Sequence, residues 1–231
     1  MSKKITYKIK RSMRKTISLH INSDGLEVRA PLRASQKKID IFINSKLEWI
    51  EKNLDYMKNI EHAKSKFATD YDTEIVICGT KFVITPAHDS KYKTKVELQE
   101  NYLIVPKDKT AEEIKTLVVR FYKKSARAFI PDRVEYWAKK MRIGLPTVRI
   151  TSAHTRWGSC SAKGGINFSW LLMMADVDAI DYVIIHELAH LEHHDHSKNF
   201  WKLVSDYCPD YKTQKEALNK LSRKLLAEDW K

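Results

Sequence analysis

Apolar and polar positions alternate through the first part of the chain. Ile5, Tyr7 and Ile9 alternate with polar residues, as do Ile17, Leu19 and Ile21, and then Leu26, Val28 and Ala30. A period of two predicts strands, and the Asp24-Gly25 pair between the second and third sets predicts a hairpin turn. After Ser35 the period lengthens. Ile39, Ile43, Leu47, Ile50, Leu54 and Met57 step by three and four, which predicts one long helix with Ser35 as its cap. Two further strand pairs are expected, 73–77 with 81–85 bending at Gly79, and 95–98 with 102–105 turning at Glu100 and Asn101 and ending at Pro106.

A helical block comes next. Thr110 and Glu113 have the spacing of a capping box, and Ile114, Leu117, Val118 and Phe121 form an apolar stripe. Pro131 is expected to kink or divide this helix, because proline lacks the backbone N–H that the helix needs. Val148 and Ile150 suggest a strand, followed by the glycine-marked run Arg156, Trp157, Gly158, Ser159, Cys160, and a second strand over 166–170. A helix is expected from about Asp178 through Leu191, with a break near His193–His196. Ser197 caps the next helix, which closes before Pro209, and a last amphipathic helix covers 212–226. The pattern gives an α+β protein with a boundary near Pro106: a strand-rich region with one long helix over 1–106, and a helix-rich region over 107–231.

Composition narrows the class. With 231 residues, 43% hydrophobic and 31% charged, the chain can bury a core without disulfide staples, and wholesale disorder is excluded. No apolar run reaches the length of a membrane span. The basic N-terminus lacks the apolar core of a signal peptide, and Cys78, Cys160 and Cys208 are an odd, widely spaced set; the expectation is a cytoplasmic protein without disulfides.

Charge changes the picture more. Forty-two basic residues against 29 acidic ones give a net charge of +13, a surface that attracts polyanions such as nucleic acid and nucleotides. From Gly164 to Ser197 there is no lysine or arginine. That stretch instead holds Asp176, Asp178, Asp181, Glu187, Glu192 and Asp195, with His186, His190, His193, His194 and His196. An acidic, histidine-dense island in a basic protein suits a bound cation.

The residues His186-Glu187-Leu188-Ala189-His190 form an HExxH pattern within the apolar helix. At about 100° and 1.5 Å per residue, His186 and His190 lie about 40° apart around the helix axis and about 6 Å apart along it, so their imidazoles can converge on one metal ion. Glu187 lies about 100° from His186, so it flanks the ion rather than binding it. Zinc pulls the pKa of its bound water toward ~7, and an adjacent carboxylate can accept the proton. His196 is the favoured third ligand if the chain doubles back after the helix, as in the HExxHx5H spacing of metzincins, which carry glycine where this chain has His193. The turn that glycine permits would then be made elsewhere, with Asp195 the candidate. Asp206 and Glu216 are the rival third ligands.

Together with Arg156-Trp-Gly-Ser-Cys160, these residues resemble the YgjP-like family of metallopeptidase-type proteins, relatives of the SprT-like zinc proteases. The family pattern continues as Asp181-Tyr-Val183, His186-Glu-Leu-Ala-His190 and His196-Ser-Lys-Asn-Phe-Trp201, most specifically over 147–209. One departure is Met174-Ala-Asp176, where members usually carry a proline. The resemblance implies a zincin-like helical domain with a small sheet, His186, His190 and His196 as metal ligands, and Glu187 as catalytic base. Zinc is the implied metal, and imidazole ligands also accommodate Mn2+ or Ni2+.

Arg156 has two readings, an anchor for substrate charge or a salt bridge to the acidic island. Cys160 is read as a small buried residue or a metal neighbour, and the strand over 166–170 as a free edge for a peptide. Three functions follow: a zinc-dependent peptidase, a metal-dependent nucleotide pyrophosphatase acting on nucleoside triphosphates (an activity also attached to the family), and a nucleic-acid-associated protein with a structural metal. Membrane contact has no support, because the basic N-terminus alternates like a strand.

Overall fold

The computed structural model describes residues 5–22, 24–87 and 95–230. It has an α+β fold, as the sequence pattern indicates, and it divides into two compact units, 1–67 with 226–229, and 68–225 with 230–231. Pro106, where the sequence changes from strand-rich to helix-rich, lies inside the second unit.

In the first unit β1 (Tyr7–Ser12), β2 (Ser18–Asn22) and β3 (Gly25–Pro31) form a sheet in the order β1-β3-β2. The hairpin sits at the Asp24-Gly25 turn, with Asn22 opposite Gly25. Strand β1 runs parallel to β3, with Tyr7 opposite Leu26. Leu26, Val28 and Ala30 alternate onto the buried face and meet Ile39, Ile43 and Ile50. Those residues come from two helices, α1 (Gln36–Asn44) and α2 (Leu47–Lys66), where the spacing predicts one. The Ser45 hydroxyl donates to the Phe42 carbonyl, and the Lys46 amide donates to Ile43, tightening the last turn so that Lys46 leaves helical geometry. Serine competes with the helix in this way. Both helices bury their stripes against the same cluster, so the apolar period continues across the break.

In the second unit β4 (Glu74–Ile77), β5 (Thr80–Pro86), β6 (Glu97–Gln99) and β7 (Tyr102–Val105) form a sheet in the order β4-β5-β7-β6. Helix α3 (Ala111–Met141) opens on the Thr110–Glu113 capping box, and it runs unbroken past Pro131, contrary to the expected division. Burial explains this: Ile130 and Val134 on either side are fully buried, so packing holds the helix across the missing hydrogen bond. The Tyr122 hydroxyl on α3 donates to the Val76 carbonyl at 2.7 Å, and its ring lies 5.7 Å from that of Trp170.

A second sheet contains β8 (Val148–Thr151), β9 (Gly158–Cys160) and β10 (Ile166–Ser169) in the order β8-β10-β9. Strand β10 is therefore the middle strand, parallel to β8 and antiparallel to β9, and it offers no free edge. A buried 3-10 turn, Trp170–Met174, leads to α4 (Val177–Glu192). The turn between β4 and β5 lies against this junction. The Cys78 amide donates to the Met173 carbonyl, and Gly79 (φ +81°) leaves the space in which a Cβ would fall 2.5 Å from the Asp176 carboxylate. Helices α5 (Lys198–Tyr207) and α6 (Tyr211–Ala227) complete the unit. Among the described residues no helix is long and apolar enough to cross a membrane.

Arg133 of α3 joins Asp181 of α4 in a two-pronged ion pair, with Nε donating at 2.9 Å and a second, shorter contact from the guanidinium terminus. Asp181 is buried, so removing its cation strands a charge. Arg133→Ala should destabilise the fold by about 2–3 kcal/mol in urea denaturation. A change below about 0.5 kcal/mol, the range of an ordinary surface substitution, would contradict an anchoring role.

Candidate metal centre

Helix α4 is apolar on nearly all sides: Ala179 to Ile185, Leu188 and Ala189 are buried. A helix clothed in apolar residues belongs in a protein interior, and the ionisable groups on it need partners. His186 and His190 are partly buried and emerge on one face, one turn apart. The helix ends at Glu192, and His193 takes an extended conformation (φ −132°, ψ 102°). The chain then turns back without a left-handed residue at Asp195; no residue from His193 to His196 has positive φ. Asp195 contributes through its side chain, which accepts the Ser197 amide at 3.2 Å. Ser197 then caps α5, its hydroxyl accepting the Phe200 amide.

This return brings His196 to the other two histidines. One ligand atom from each of His186, His190 and His196 lies within 4.8 Å of the others. The Nε2 atoms of His186 and His196 are 3.2 Å apart. Two nitrogens at the usual Zn–N length of 2.0–2.1 Å, set at the tetrahedral angle, lie about 3.3 Å apart. The His190 Nδ1 is 3.1 Å from the His193 carbonyl, to which it donates, leaving Nε2 with its lone pair. His186 Nδ1 is buried with no hydrogen-bond partner among the described residues. Burial, then the neighbouring His190, His196 and Lys215, push the His186 pKa down to about 3. It is therefore neutral, the form that binds metals. A three-imidazole donor set at this spacing fits a transition metal such as zinc.

Aromatic rings hold the triad in place. Phe200, fully buried, lies 4.6–4.9 Å from all three imidazole centroids. Trp201 stacks on His196 at 5.6 Å, and Tyr211 stacks on Trp201 at 5.1 Å. The rival ligands are elsewhere: Asp206 pairs with Lys202 at 2.7 Å and Glu216 with Lys220 at 3.2 Å. Two carboxylates of the acidic island are likewise used structurally, Asp181 held by Arg133 and Asp195 at the turn.

Glu187 is the buried carboxyl that faces β9. It accepts a hydrogen bond from the Cys160 backbone N–H, and burial pushes its pKa up to about 7 despite that bond and the positive charge of Arg156. Gly158 makes room for it: a Cβ there would lie 2.7 Å from the Glu187 Oε1. Arg156 is exposed and, among the described residues, forms no ion pair with the acidic island; it acts on Glu187 through space. Cys160 is not grouped with the triad, and its thiol is directed to the Ser161 carbonyl. Trp170 is core, whereas Trp157 is partly exposed and lines a cavity beside His186 and Glu187.

Phe200 and Trp201 close the family pattern that begins at His196, but their packing against the imidazoles is visible only in the fold, as is the place of α6 beside the site. The signal for Phe200 and Trp201 was their spacing from His196; for Lys215 of α6 there was none.

The raised pKa of Glu187 has a consequence for the metal-free chain. The protonated form is favoured by folding, so its contribution is fully present below about pH 4.5 and is lost as pH rises through about 7. Glu187→Gln cannot ionise. Its unfolding free energy without metal, measured by urea denaturation, should therefore gain on that of the native chain between about pH 5 and 8, by up to about 3 kcal/mol. A gap that stays constant over this range would contradict the burial of an ionisable carboxyl.

No curated protein matches the chain. Among solved structures, the metallopeptidase zymogen abylysin of Pyrococcus abyssi is 27% identical, over 43% of this chain and 98% of that one, with a TM-score of 0.38. The model of the YgjP-like metallopeptidase domain matches residues 15–221, a span that takes in the HExxH helix, the β9 segment and the returning His196. The chain belongs to the YgjP-like metallopeptidase family.

Proposed function

We propose that this chain is a zinc-dependent peptidase in which His186, His190 and His196 hold the metal and Glu187 is the general base. The observation that carries this reading is the convergence of three imidazoles within 4.8 Å beside a buried carboxyl. Zinc bound there would polarise a peptide carbonyl and acidify water. Glu187 takes the proton from the attacking water and passes it to the departing amine. A pKa raised to about 7 suits that exchange near neutral pH, since a base works best when its pKa is close to the operating pH. The Cys160 amide fixes the direction of the carboxylate, and Gly158 sets how closely it lies to β9. Arg156, which acts on Glu187 through space, would attract the negative charge that develops on the carbonyl oxygen.

The phosphoanhydride reading uses the same metal and residues. The family favours the peptide substrate, and the basic surface alone does not distinguish the two. All three cysteines are free, which supports a reducing compartment such as the cytoplasm. The nucleic-acid reading rests on net charge; any such binding would weaken steeply with salt.

Two substitutions test the assignment in a zinc-loaded assay against a peptide library and a nucleoside triphosphate panel. Glu187→Gln should keep the metal and lower turnover by about a thousandfold or more, the upper part of the range for general acid–base catalysis. Gly158→Ala should also keep the metal and lower turnover by about tenfold to a hundredfold, because a displaced carboxylate loses its alignment. Glu187→Gln retaining full turnover would remove the assigned base, and triphosphate cleavage without peptide cleavage would move the chemistry to phosphoanhydrides.

A further inference from the structure

We propose that the cavity beside the histidine triad is a side-chain pocket that selects a substrate carboxylate next to the scissile bond, read by Lys215 and Asn219 of α6. This inference rests on the peptidase reading above. The cavity has a volume of about 230 Å3, and its lining includes His186 and Glu187, so it opens directly off the reacting centre. Drug-sized ligands occupy roughly 300–1,000 Å3; the space here is on the scale of one side chain.

The lining has two characters. Val183, Leu218 and Trp157 supply apolar wall, suited to a methylene stem. Lys215 and Asn219 supply hydrogen-bond donors. They stand one turn apart on α6, on the same face as buried Leu218, and Tyr211 lies one turn before Lys215. The Lys215 ammonium is held 5.6 Å from the Trp201 ring, which itself lies 5.7 Å from the His186 ring. The lysine is thus kept close to the triad.

Lys215 stands exposed at the rim of the cavity. Lys220 of the same helix pairs with Glu216, and Lys202 of α5 pairs with Asp206. Lys215 has no carboxylate partner among the described residues; the residues one turn away are Tyr211 and Asn219. The other ionisable lining groups are Tyr182, whose pKa burial pushes up to about 12, and His186 and Glu187, which are both engaged in the site. A cationic guest would be repelled by Lys215, and an apolar guest would gain nothing from its ammonium or from the Asn219 amide, both exposed at the rim. A carboxylate satisfies both. That carboxylate comes either from an Asp or Glu side chain or from the free C-terminus of a peptide.

Peptide hydroxamates test this by binding, independently of turnover. A hydroxamate chelates the metal and leaves the adjacent side chain to enter the pocket. Calorimetry on the zinc-loaded full chain would compare C-terminally amidated hydroxamates bearing Glu, Gln or Lys, and a further one bearing Gly with a free C-terminal carboxylate. The Glu compound should bind about fivefold more tightly than the Gln compound, the Lys compound should bind most weakly, and Lys215→Glu should invert that order. Tight binding of the free-carboxylate compound alone would assign the pocket to the chain terminus. Hydroxamates that bind in the same order to native protein and Lys215→Glu would overturn the pocket while leaving the peptidase reading intact. If none bound to a chain carrying zinc, the peptidase reading would fail, and this inference with it.

Discussion

Helix α4 carries His186 and Glu187 into an otherwise apolar layer, and burying ionisable groups is unfavourable unless something satisfies them. Much of the surrounding structure answers that constraint. The Cys160 amide and the space left by Gly158 accommodate Glu187. His196 returns to face His186, and the His193 carbonyl takes the His190 proton. Within the triad, His186 Nδ1 has no hydrogen-bond partner among the described residues.

The rest of the second unit acts as support. Arg133 on α3 neutralises Asp181 one turn and a half before the first histidine, fixing the depth of α4. The β4–β5 turn is fitted against Asp176 at the start of the same helix. Phe200 and Trp201 on α5 enclose the imidazoles, so the triad is held by packing on one side and by hydrogen bonds on the other. Helix α6 contributes a wall to the cavity beside them. The site is consequently assembled from residues spread over β9, α4, the turn after it, α5 and α6.

Local features of this arrangement were legible in the sequence. The convergence of His186 and His190 follows from helix geometry alone, and the capping residues Ser35, Thr110 and Ser197 mark helix starts by short-range hydrogen bonds. Tertiary features were not. Ser45 breaks a helix within an unbroken apolar period, and Pro131 is carried by the burial of its neighbours. The burial of β10 between two strands depends on a parallel pairing with β8 that no period reveals. His196 needed a chain reversal without glycine, which the sequence suggested through a weak helix end and the family pattern suggested through spacing. Lys215 is one lysine among many until the fold sets it beside the triad.

Metal content tests the central claim most directly. The chain, purified without chelator and analysed by elemental mass spectrometry, should carry a single zinc ion per molecule, the usual stoichiometry of a three-histidine site. His196→Ala, at an exposed position that leaves the α4 core untouched, should lose most of that zinc while remaining folded by circular dichroism. A native chain that retains no metal after zinc loading, or a His196→Ala chain that holds zinc as tightly as the native one, would contradict the account.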